Sequence, residues 1–467
     1  MKTENIEDIY ELTPIQKGLV FHSLSAPEFG LYFFQTRFAL DSNLNVVAFE
    51  QAWQQVVQRH TILRTGFYWE DIDQPLQVVY KQVKVPLEQY DWRGIDPVEQ
   101  QKRLKYFLKS DRQQGIDLSQ EIMMRLTLFR LADDLYEFIW SRHFLIADGW
   151  SIPLVINEVV QIYEALCQGQ DISLAPSIPF QSYIEWLQQQ DISKAEVFWR
   201  QALKGVKAPT PLTNLYVDSL SNQEEKYDDQ QITLSQATTA ALHSLARQHQ
   251  LTLNTLIQGA WAVLVSYYSG QEEVVYGCTV SGRPVDLVGS ESIIGMLVNT
   301  LPVRVKVDPE QSLLPWLKEL QAQLVEMRQY DYSSLVDVQG WSEVRRGVPL
   351  FESIVVFENL PVPQDLREGH RSVEVVNSSN FYKTNYPITL VVIPDFPLVV
   401  GINYEFTRVD IATINGILMH LEILLQNMIT NPEVRLKELS LVTERERYIT
   451  LMLKKEVTFD FGFAQQH

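Results

Sequence analysis

The amino-acid sequence predicts an α/β protein built as two lobes. Three observations support this prediction. The chain has 467 residues, well above the usual size of a single hydrophobic core. Helical and strand-like patterns alternate in both halves. Between the halves, residues 204–226 contain prolines and polar residues without a clear period, which is typical of a connection between folding units.

The first half begins its clear pattern with an amphipathic helix at residues 45–60, where large apolar side chains recur at helical spacing. Strand-like runs follow at residues 63–69, 76–83, 124–131 and 136–143. Directly after the last strand, Ser151 suits a helix N-cap and Pro153 an early helical position. The sequence therefore predicts that the segment between residues 143 and 151 is a strand-to-helix loop.

The second half repeats this style with four helical patterns and a set of strands. Helical patterns cover residues 235–248, 254–268, 313–329 and 411–428. Strand-like runs cover residues 272–280, 300–307, 352–359 and 397–406. The apolar stretch at residues 386–404 is interrupted by Pro387, Pro394, Asp395 and Pro397, so we interpret it as two strands and not as a membrane span.

Composition excludes several classes of protein. Lysine and arginine total 39 against 58 aspartate and glutamate residues, giving a formal charge of −19. That balance argues against a nucleic-acid partner and against an anionic membrane surface. The N-terminal segment has early acidic residues and no apolar core, so it is not a signal peptide. Only Cys167 and Cys278 are present, which favours a reducing, cytoplasmic location and two small buried side chains.

The segment SRHFLIADGWS, residues 141–151, is the candidate site. Signatures of nucleotide, zinc and serine-hydrolase sites are missing from the sequence, and no metal site is predicted. On spacing alone, His143 at the end of a strand is more often a hydrogen-bonded core residue than a catalyst. Asp148 before Gly149 is by itself only a turn signal.

Eight motifs in order along the chain change that interpretation, because together they resemble the condensation domains of nonribosomal peptide synthetases. The matching segments are LTPIQKGLVFHSL (12–24), RHTILRTGF (59–67), HFLIADGWS (143–151), SYIEW (182–186), TVSGRP (279–284), IGMLVNTLPVR (294–304), YDYSSL (330–335) and LFESIVVFEN (350–359). The resemblance implies two chloramphenicol-acetyltransferase-like lobes forming a V-shaped pseudo-dimer with a central channel. It places the lobes at residues 1–177 and 178–467.

The central motif departs from the family pattern His-His-x-x-x-Asp-Gly. Aligning the Asp-Gly pair places His143 on the first histidine and Phe144 on the second, which the family assigns to the reacting amine. Neighbouring residues of an extended segment point to opposite faces. We therefore expect Phe144 to face the channel, where its ring fills space and excludes water, and His143 to face the lobe interior and to hydrogen-bond the loop. Plain packing is the alternative role for Phe144.

The resemblance also implies roles for residues around the motif. Asp148 is expected to form a structural ion pair with Arg283, and Arg64 is expected to brace the same loop. Gly149 allows close backbone approach and could present its N–H to the thioester oxygen. Trp150, Ser151 and Asn299 are expected to line the substrate channel. Core packing is an alternative for Trp150, and capping of a turn is an alternative for Asn299.

By resemblance the function is amide formation between an acyl or peptidyl thioester and an amine, with an L-configured donor. The expected partners are donor and acceptor carrier proteins, each delivering a 4′-phosphopantetheine arm, with no intrinsically bound cofactor. Residues 442–453 resemble the region that leads into an adenylation domain. Phe144 keeps two alternatives open: an impaired or silent module that docks carrier proteins or other enzymes, and altered chemistry, such as dehydration, on the tethered acyl chain.

Overall fold

The computed structural model describes residues 3–25, 30–41, 43–212, 227–361, 374–405 and 407–441. Part of the predicted connection, residues 213–226, and the segment 442–453 lie outside the described residues. The helices are α1 Pro14–Ser25, α2 Val46–Arg59, α3 Pro97–Gln114, α4 Ser151–Gln168, α5 Phe180–Gln188, α6 Ile192–Ala202, α7 Gln236–His249, α8 Leu253–Ser269, α9 Leu313–Met327, α10 Leu335–Trp341 and α11 Ile411–Thr430. Within the described ranges, none of them is long and apolar enough to cross a lipid bilayer.

The strands belong to three sheets. Their bounds are β1 Ile6–Glu11, β2 Phe33–Asp41, β3 Thr65–Tyr68, β4 Leu76–Tyr80, β5 Leu87–Asp91, β6 Met124–Arg130, β7 Leu135–His143, β8 Tyr227–Thr233, β9 Glu273–Val280, β10 Asn299–Lys306, β11 Ser353–Phe357, β12 Glu374–Tyr382, β13 Ile388–Ile393 and β14 Val399–Glu405. The sheet orders are β1-β4-β3, β12-β2-β7-β6-β5 and β10-β9-β11-β13-β14-β8.

The sheet of the first half is centred on β7, whose residues 136–143 are all buried. A strand covered on both faces loses the simple alternation of polar and apolar residues. Helices α2 and α4 pack on each other. The ring of Trp53 on α2 lies 5.1 Å from the ring of Trp140 in a T-shaped arrangement. This packing makes β7 a rigid support for the candidate motif, which lies at the carboxyl end of the strand.

The sheet of the second half is mixed, because β11 runs parallel to both of its neighbours, β9 and β13. The other described pairs in this sheet are antiparallel. Helix α8 is buried along most of its length and contacts α9 and α11. The carboxyl end of β11 and the amino end of β10 both line a cavity that also borders the first half.

The two cores exchange segments. Strand β12 comes from the second half of the chain but pairs with β2 of the first sheet. Phe180 and Tyr183 of α5, together with residues 293–297, also pack in the core of the first half, whereas Trp199 of α6 packs in the second. The predicted boundary after residue 177 thus assigns α5 to the second lobe, although its buried side chains belong to the first core.

Candidate functional site

A cavity of about 1600 Å³ lies between the two cores. Its wall combines α1, the loop after β7, the ends of β9 and β11, the start of β10 and the end of β12. The lining residues used below are His22, Tyr32, Phe34, Phe144, Asp148, Gly149, Trp150, Asn299, Asp337, Glu358, Asn359, Leu360 and Tyr382. Residues of both halves therefore form the wall of this cavity.

The motif loop, residues 144–150, connects β7 to α4. Its three apolar residues, Leu145, Ile146 and Ala147, are fully buried in the first core. The N–H of Phe144 donates to the carbonyl of Tyr32 at 3.0 Å, and the N–H of Asp148 donates to the carbonyl of Gly295 at 3.1 Å. The loop is thus fixed to both halves of the chain through its backbone.

His143 faces the interior and is only 2% exposed. The N–H of Leu145 donates to Nδ1 of the ring at 3.2 Å, so Nδ1 carries no proton. The remaining nitrogen, Nε2, lies 3.2 Å from Oγ of Ser23 on α1 and acts as the donor in that pair. Burial lowers the pKa of His143 to about 3, so the ring is neutral at neutral pH.

Phe144 lies on the cavity wall within a cluster of aromatic rings. Its ring centre is 5.2 Å from that of Phe34 and 6.3 Å from those of Tyr32 and Tyr382. Phe34 and Tyr382 stack on each other at 5.5 Å. Position 144 therefore presents an apolar ring to the cavity.

A buried cation supports this aromatic cluster from behind. The guanidinium of Arg142 is fully buried between the rings of Phe34 and Trp140, at 4.2 and 3.9 Å from their centres. Nη1 donates to Oγ1 of Thr36 at 3.0 Å. Burial lowers the pKa of Arg142 to about 9. Cation–π contacts of this kind hold Phe34, and through it Phe144, in place. Arg142 is not among the site residues predicted from the sequence.

Asp148 is fully buried and joins the two halves of the chain. Its carboxylate accepts two hydrogen bonds from Arg283, at 3.0 and 3.2 Å. It also accepts from the backbone N–H groups of Leu297 and Val298 at 3.1 and 3.2 Å. The backbone N–H and the hydroxyl of Ser151 donate to it at 2.9 and 2.7 Å. The ion pair expected from the resemblance is thus present, within a network of six donated hydrogen bonds.

Gly149 follows Asp148 and faces the cavity. A Cβ atom at this position would meet Cδ2 of Leu360 at 3.9 Å, an ordinary contact, so packing of the chain does not itself require glycine here. The Gly149 N–H donates no hydrogen bond to a described residue. An N–H that lines a cavity and precedes the amino end of α4 can donate to a ligand oxygen.

The three residues expected to line the channel differ in their placement. Trp150 lines the cavity, and its Nε1 donates to the carbonyl of Glu291 at 3.0 Å. Asn299 also lines the cavity, but its amide donates to the carbonyls of Asp331 and Ser333 at 2.8 and 2.7 Å and so holds that turn. The expectation for Ser151 is wrong, because this residue is buried behind the loop. Its hydroxyl donates a hydrogen bond to the carboxylate of Asp148 and accepts one from the N–H of Gly295.

The prediction that Ser151 is the N-cap of the helix is also wrong. It is the first residue of α4, and Trp150 takes the cap position without a side-chain hydrogen bond. The carboxylate of Asp148 accepts from the Ser151 N–H instead. Asp148 therefore stabilises the amino end of α4 as well as the contact between the halves.

Arg64 does not brace the motif loop, which corrects the expectation from the resemblance. Its guanidinium donates to the carboxylate of Glu7 at 2.7 Å and to the carbonyls of Tyr80 and Gln58. It thereby ties β1 and β4 of the small sheet to the end of α2. The reason is local: Arg64 ends a 3₁₀ turn that packs against this sheet, away from residues 144–150.

Gly282 shapes the second-half side of the site. It adopts φ of +60°, and a Cβ atom there would lie 1.8 Å from the carbonyl oxygen of Leu297. Only glycine permits both this conformation and this close approach. The glycine lies next to Arg283, so it sets the backbone that presents the guanidinium to Asp148. The Ser-Gly-Arg-Pro segment was the only sequence signal for this feature.

Comparison with known sequences identifies the family. A sequence profile of the Condensation domain matches residues 6–449. One of the linear gramicidin synthase proteins of Brevibacillus parabrevis is 43% identical over 452 residues, covering 97% of this chain and 6% of that protein. The chain therefore belongs to the condensation-domain family, and it spans a small part of the length of the curated relatives it matches.

Solved structures agree on the fold. The first condensation domain of the calcium-dependent antibiotic synthetase, in complex with a substrate analogue, matches with a TM-score of 0.77 and 16% identity over 94% of this chain and all of that one. The X-domain in the complex with OxyB from teicoplanin biosynthesis matches with a TM-score of 0.74 and 19% identity, covering 95% of this chain and 97% of that one. The predicted two-lobed, acetyltransferase-like α/β fold is confirmed.

Proposed function

We propose that the chain acts as a condensation domain of a nonribosomal peptide synthetase and forms an amide bond between two carrier-bound substrates. The donor is an acyl or peptidyl thioester with an L-configured residue, and the acceptor is an amino acid with a free amine. The main support is the cavity of about 1600 Å³, which both halves line and which reaches Phe144 and Gly149 of the motif loop. The family membership supports the same reaction class.

The proposed reaction needs little from the protein beyond positioning. The neutral amine nitrogen attacks the thioester carbonyl carbon, a C–N bond forms, the C–S bond breaks, and the amine proton passes to the leaving thiolate. An α-amino group has a pKa of about 8, so a useful fraction is neutral at pH 7. Holding amine and carbonyl together can lower the barrier by roughly 7–11 kcal/mol.

Gly149 is proposed to stabilise the developing oxyanion. Its N–H has no acceptor among the described residues and lies at the cavity beside the amino end of α4. Backbone N–H groups held rigidly in this way need no reorganisation when charge develops on the carbonyl oxygen. The hydrogen bonds to Asp148 supply that rigidity, and Asp148 and Arg283 are proposed to be structural.

Phe144 is proposed to reduce the rate of this reaction. A phenyl ring cannot accept a proton, and loss of a general base typically slows a reaction by about 10²–10⁴-fold. His143 cannot replace the missing group, because its ring is buried and its Nδ1 and Nε2 are occupied by Leu145 and Ser23. The proposed enzyme is therefore slow and relies on positioning.

The partners proposed for this reaction are a donor and an acceptor carrier protein. Each would bring its substrate on a 4′-phosphopantetheine arm, so the domain needs no cofactor of its own. An adjacent adenylation domain is a further proposed partner. The cavity is lined by many apolar side chains from both halves of the chain. Such a cavity fits two phosphopantetheine arms that meet at the motif loop.

The test is intact-mass analysis of donor and acceptor carrier proteins, each loaded with its substrate and mixed with or without the chain. Condensation transfers the donor acyl mass to the acceptor carrier and leaves the donor carrier as the free thiol. The Gly149→Pro variant, which lacks the proposed N–H, is expected to lose the transfer. Transfer at the uncatalysed rate with the wild-type chain would contradict the proposal.

A second candidate is a docking module that makes no bond, and Phe144 favours it because this ring occupies the position of the catalytic histidine. The X-domain from teicoplanin biosynthesis has the same fold and is seen in complex with OxyB. A third candidate is dehydration of the tethered acyl chain. The same mass analysis separates them: a docking module changes neither carrier, and dehydration removes one water from the donor.

A further inference from the structure

Glu358 presents on the cavity wall a carboxyl group that has no partner among the described residues. It follows β11 directly, and its own N–H donates to the carbonyl of Val392 at 2.8 Å. Within the part of the chain that the structure describes, its carboxyl group makes no hydrogen bond and no ion pair. Burial alone raises the pKa of this carboxyl group to about 7. Glu358 is partly exposed to the cavity, and a partly buried carboxylate without a cation is stabilised when a positive group binds beside it.

The position of Glu358 brings it close to the motif loop. Two residues further on, Cδ2 of Leu360 approaches the position that a Cβ of Gly149 would take, at 3.9 Å. The ring of Tyr382 lies 6.3 Å from the ring of Phe144. Tyr382 and Glu358 both line the cavity. Burial first, and then the charge of Glu358, raises the pKa of Tyr382 well above its ordinary value.

Two other charged groups on the same wall have ion-pair partners. Asp148 is paired with Arg283 at 3.0 Å, and Lys17 is paired with Glu11 at 3.2 Å. Asp337 lies at the start of α10 and also lines the cavity. Neither Asp337 nor Glu358 has an ion-pair partner among the described residues, and Glu358 is the one whose segment, through Leu360, approaches Gly149.

We propose that the Glu358 carboxylate binds the protonated α-amino group of the acceptor amino acid in the channel. This inference rests on the proposed function, since it assigns a residue to the acceptor of that reaction. The ammonium supplies the missing cation, and a charge-assisted hydrogen bond to the carboxylate holds the nitrogen between Gly149 and Tyr382. The bound ammonium then releases one proton to solvent, and the neutral nitrogen that remains attacks the thioester. The carboxylate thereby positions the amine on a wall where Phe144 provides no polar contact.

The test compares two synthetic ligands by titration calorimetry. One is an aminoacyl amide of aminopantetheine, which cannot transfer its acyl group, and the other is the same compound without the α-amino group. Wild-type protein is expected to bind the amine-bearing compound on the order of 10-fold more tightly, the usual size of one charge-assisted hydrogen bond. Glu358→Gln is expected to remove this difference.

Asp337→Asn is the matched control, because it removes another carboxyl group from the same cavity and is expected to keep the preference for the amine. Equal affinity for the two compounds in the wild-type protein would overturn the role of Glu358 without any variant. A preference that persists in Glu358→Gln would also overturn it. If neither compound binds the wild-type protein, the use of this cavity as an acceptor channel fails, and the proposed function fails with it.

Discussion

Asp148 and Arg283 form an ion pair between the two halves of the chain, with 3.0 Å between Oδ2 and Nη1 and side chains that are 1% and 3% exposed. The partners are 135 residues apart in sequence. The pair fixes the loop that carries Phe144 and Gly149 against the segment 281–298. It thus couples the geometry of the candidate site to the contact between the halves.

Removal of Asp148 should destabilise the fold. Asp148→Ala leaves the buried guanidinium of Arg283 without its carboxylate partner. It also leaves the N–H groups of Leu297 and Val298 without their acceptor. Loss of one partner of a buried pair costs about 3–5 kcal/mol in free energy of unfolding. Thermal and denaturant unfolding measure this change. Glu273→Ala, which breaks an exposed pair with Arg304, is the control and should change little; an equal effect of the two substitutions would show that Asp148 is not a structural residue.

Gly282 should tolerate no side chain. Gly282→Ala places a Cβ against the carbonyl of Leu297 at a positive φ, so the backbone that presents Arg283 must shift. We expect a loss of more than about 1 kcal/mol in stability. Gly340→Ala is the matched control, because a Cβ there meets nothing within 4 Å, and its midpoint should be unchanged or slightly raised. Similar thermal unfolding midpoints for the two variants would contradict the requirement for glycine at position 282.

His143 should make stability depend on pH. Its pKa is lowered from 6.5 in the unfolded chain to about 3 in the fold, so the unfolded state binds the extra proton. The contribution is complete above pH 6.5 and declines as the pH falls towards 3, by at most about 1.4 kcal/mol per pH unit. His143→Asn should flatten the decline of the unfolding free energy measured over this range, relative to wild type. Parallel curves for the two proteins would contradict the neutral, buried histidine.

His143→Ala tests the same residue at neutral pH. The substitution removes the acceptor for the Leu145 N–H and the donor to Ser23, and it leaves a cavity behind the loop. We expect a clearly lower thermal midpoint, whereas His143→Asn keeps an acceptor for Leu145 and should lose less.

The sequence predicted the elements whose own residues carry a strong pattern. Helix α2 and strand β7 lie where the periodicity placed them, at Val46–Arg59 and Leu135–His143. The placement of the motif at a strand-to-helix loop followed from these elements. The pairing of Asp148 with Arg283 could be expected only from the resemblance, since nothing in their local sequence relates two residues so far apart.

The remaining features depend on contacts between distant segments. Strand β12, with the polar sequence EVVNSSNFY, has no pattern of its own and forms because β2 of the other half pairs with it. Tyr382 at its end therefore reaches Phe144 in a way that periodicity cannot predict. Ser151 and Arg64 show the converse error, because their residue types suited the expected roles while the surrounding fold gave them other partners.

We propose that this domain keeps a functional channel and loop but lacks a proton acceptor at position 144. The most direct measurement is the rate of acyl transfer between loaded carrier proteins, followed by intact mass, for wild type, Phe144→His and Phe144→Leu. We predict that Phe144→His raises the rate by up to about 10²–10⁴-fold, the usual contribution of a general base, and that Phe144→Leu gives no gain. A Phe144→His protein that folds normally and gains nothing with several donor and acceptor pairs would contradict this claim and favour a docking module or altered chemistry.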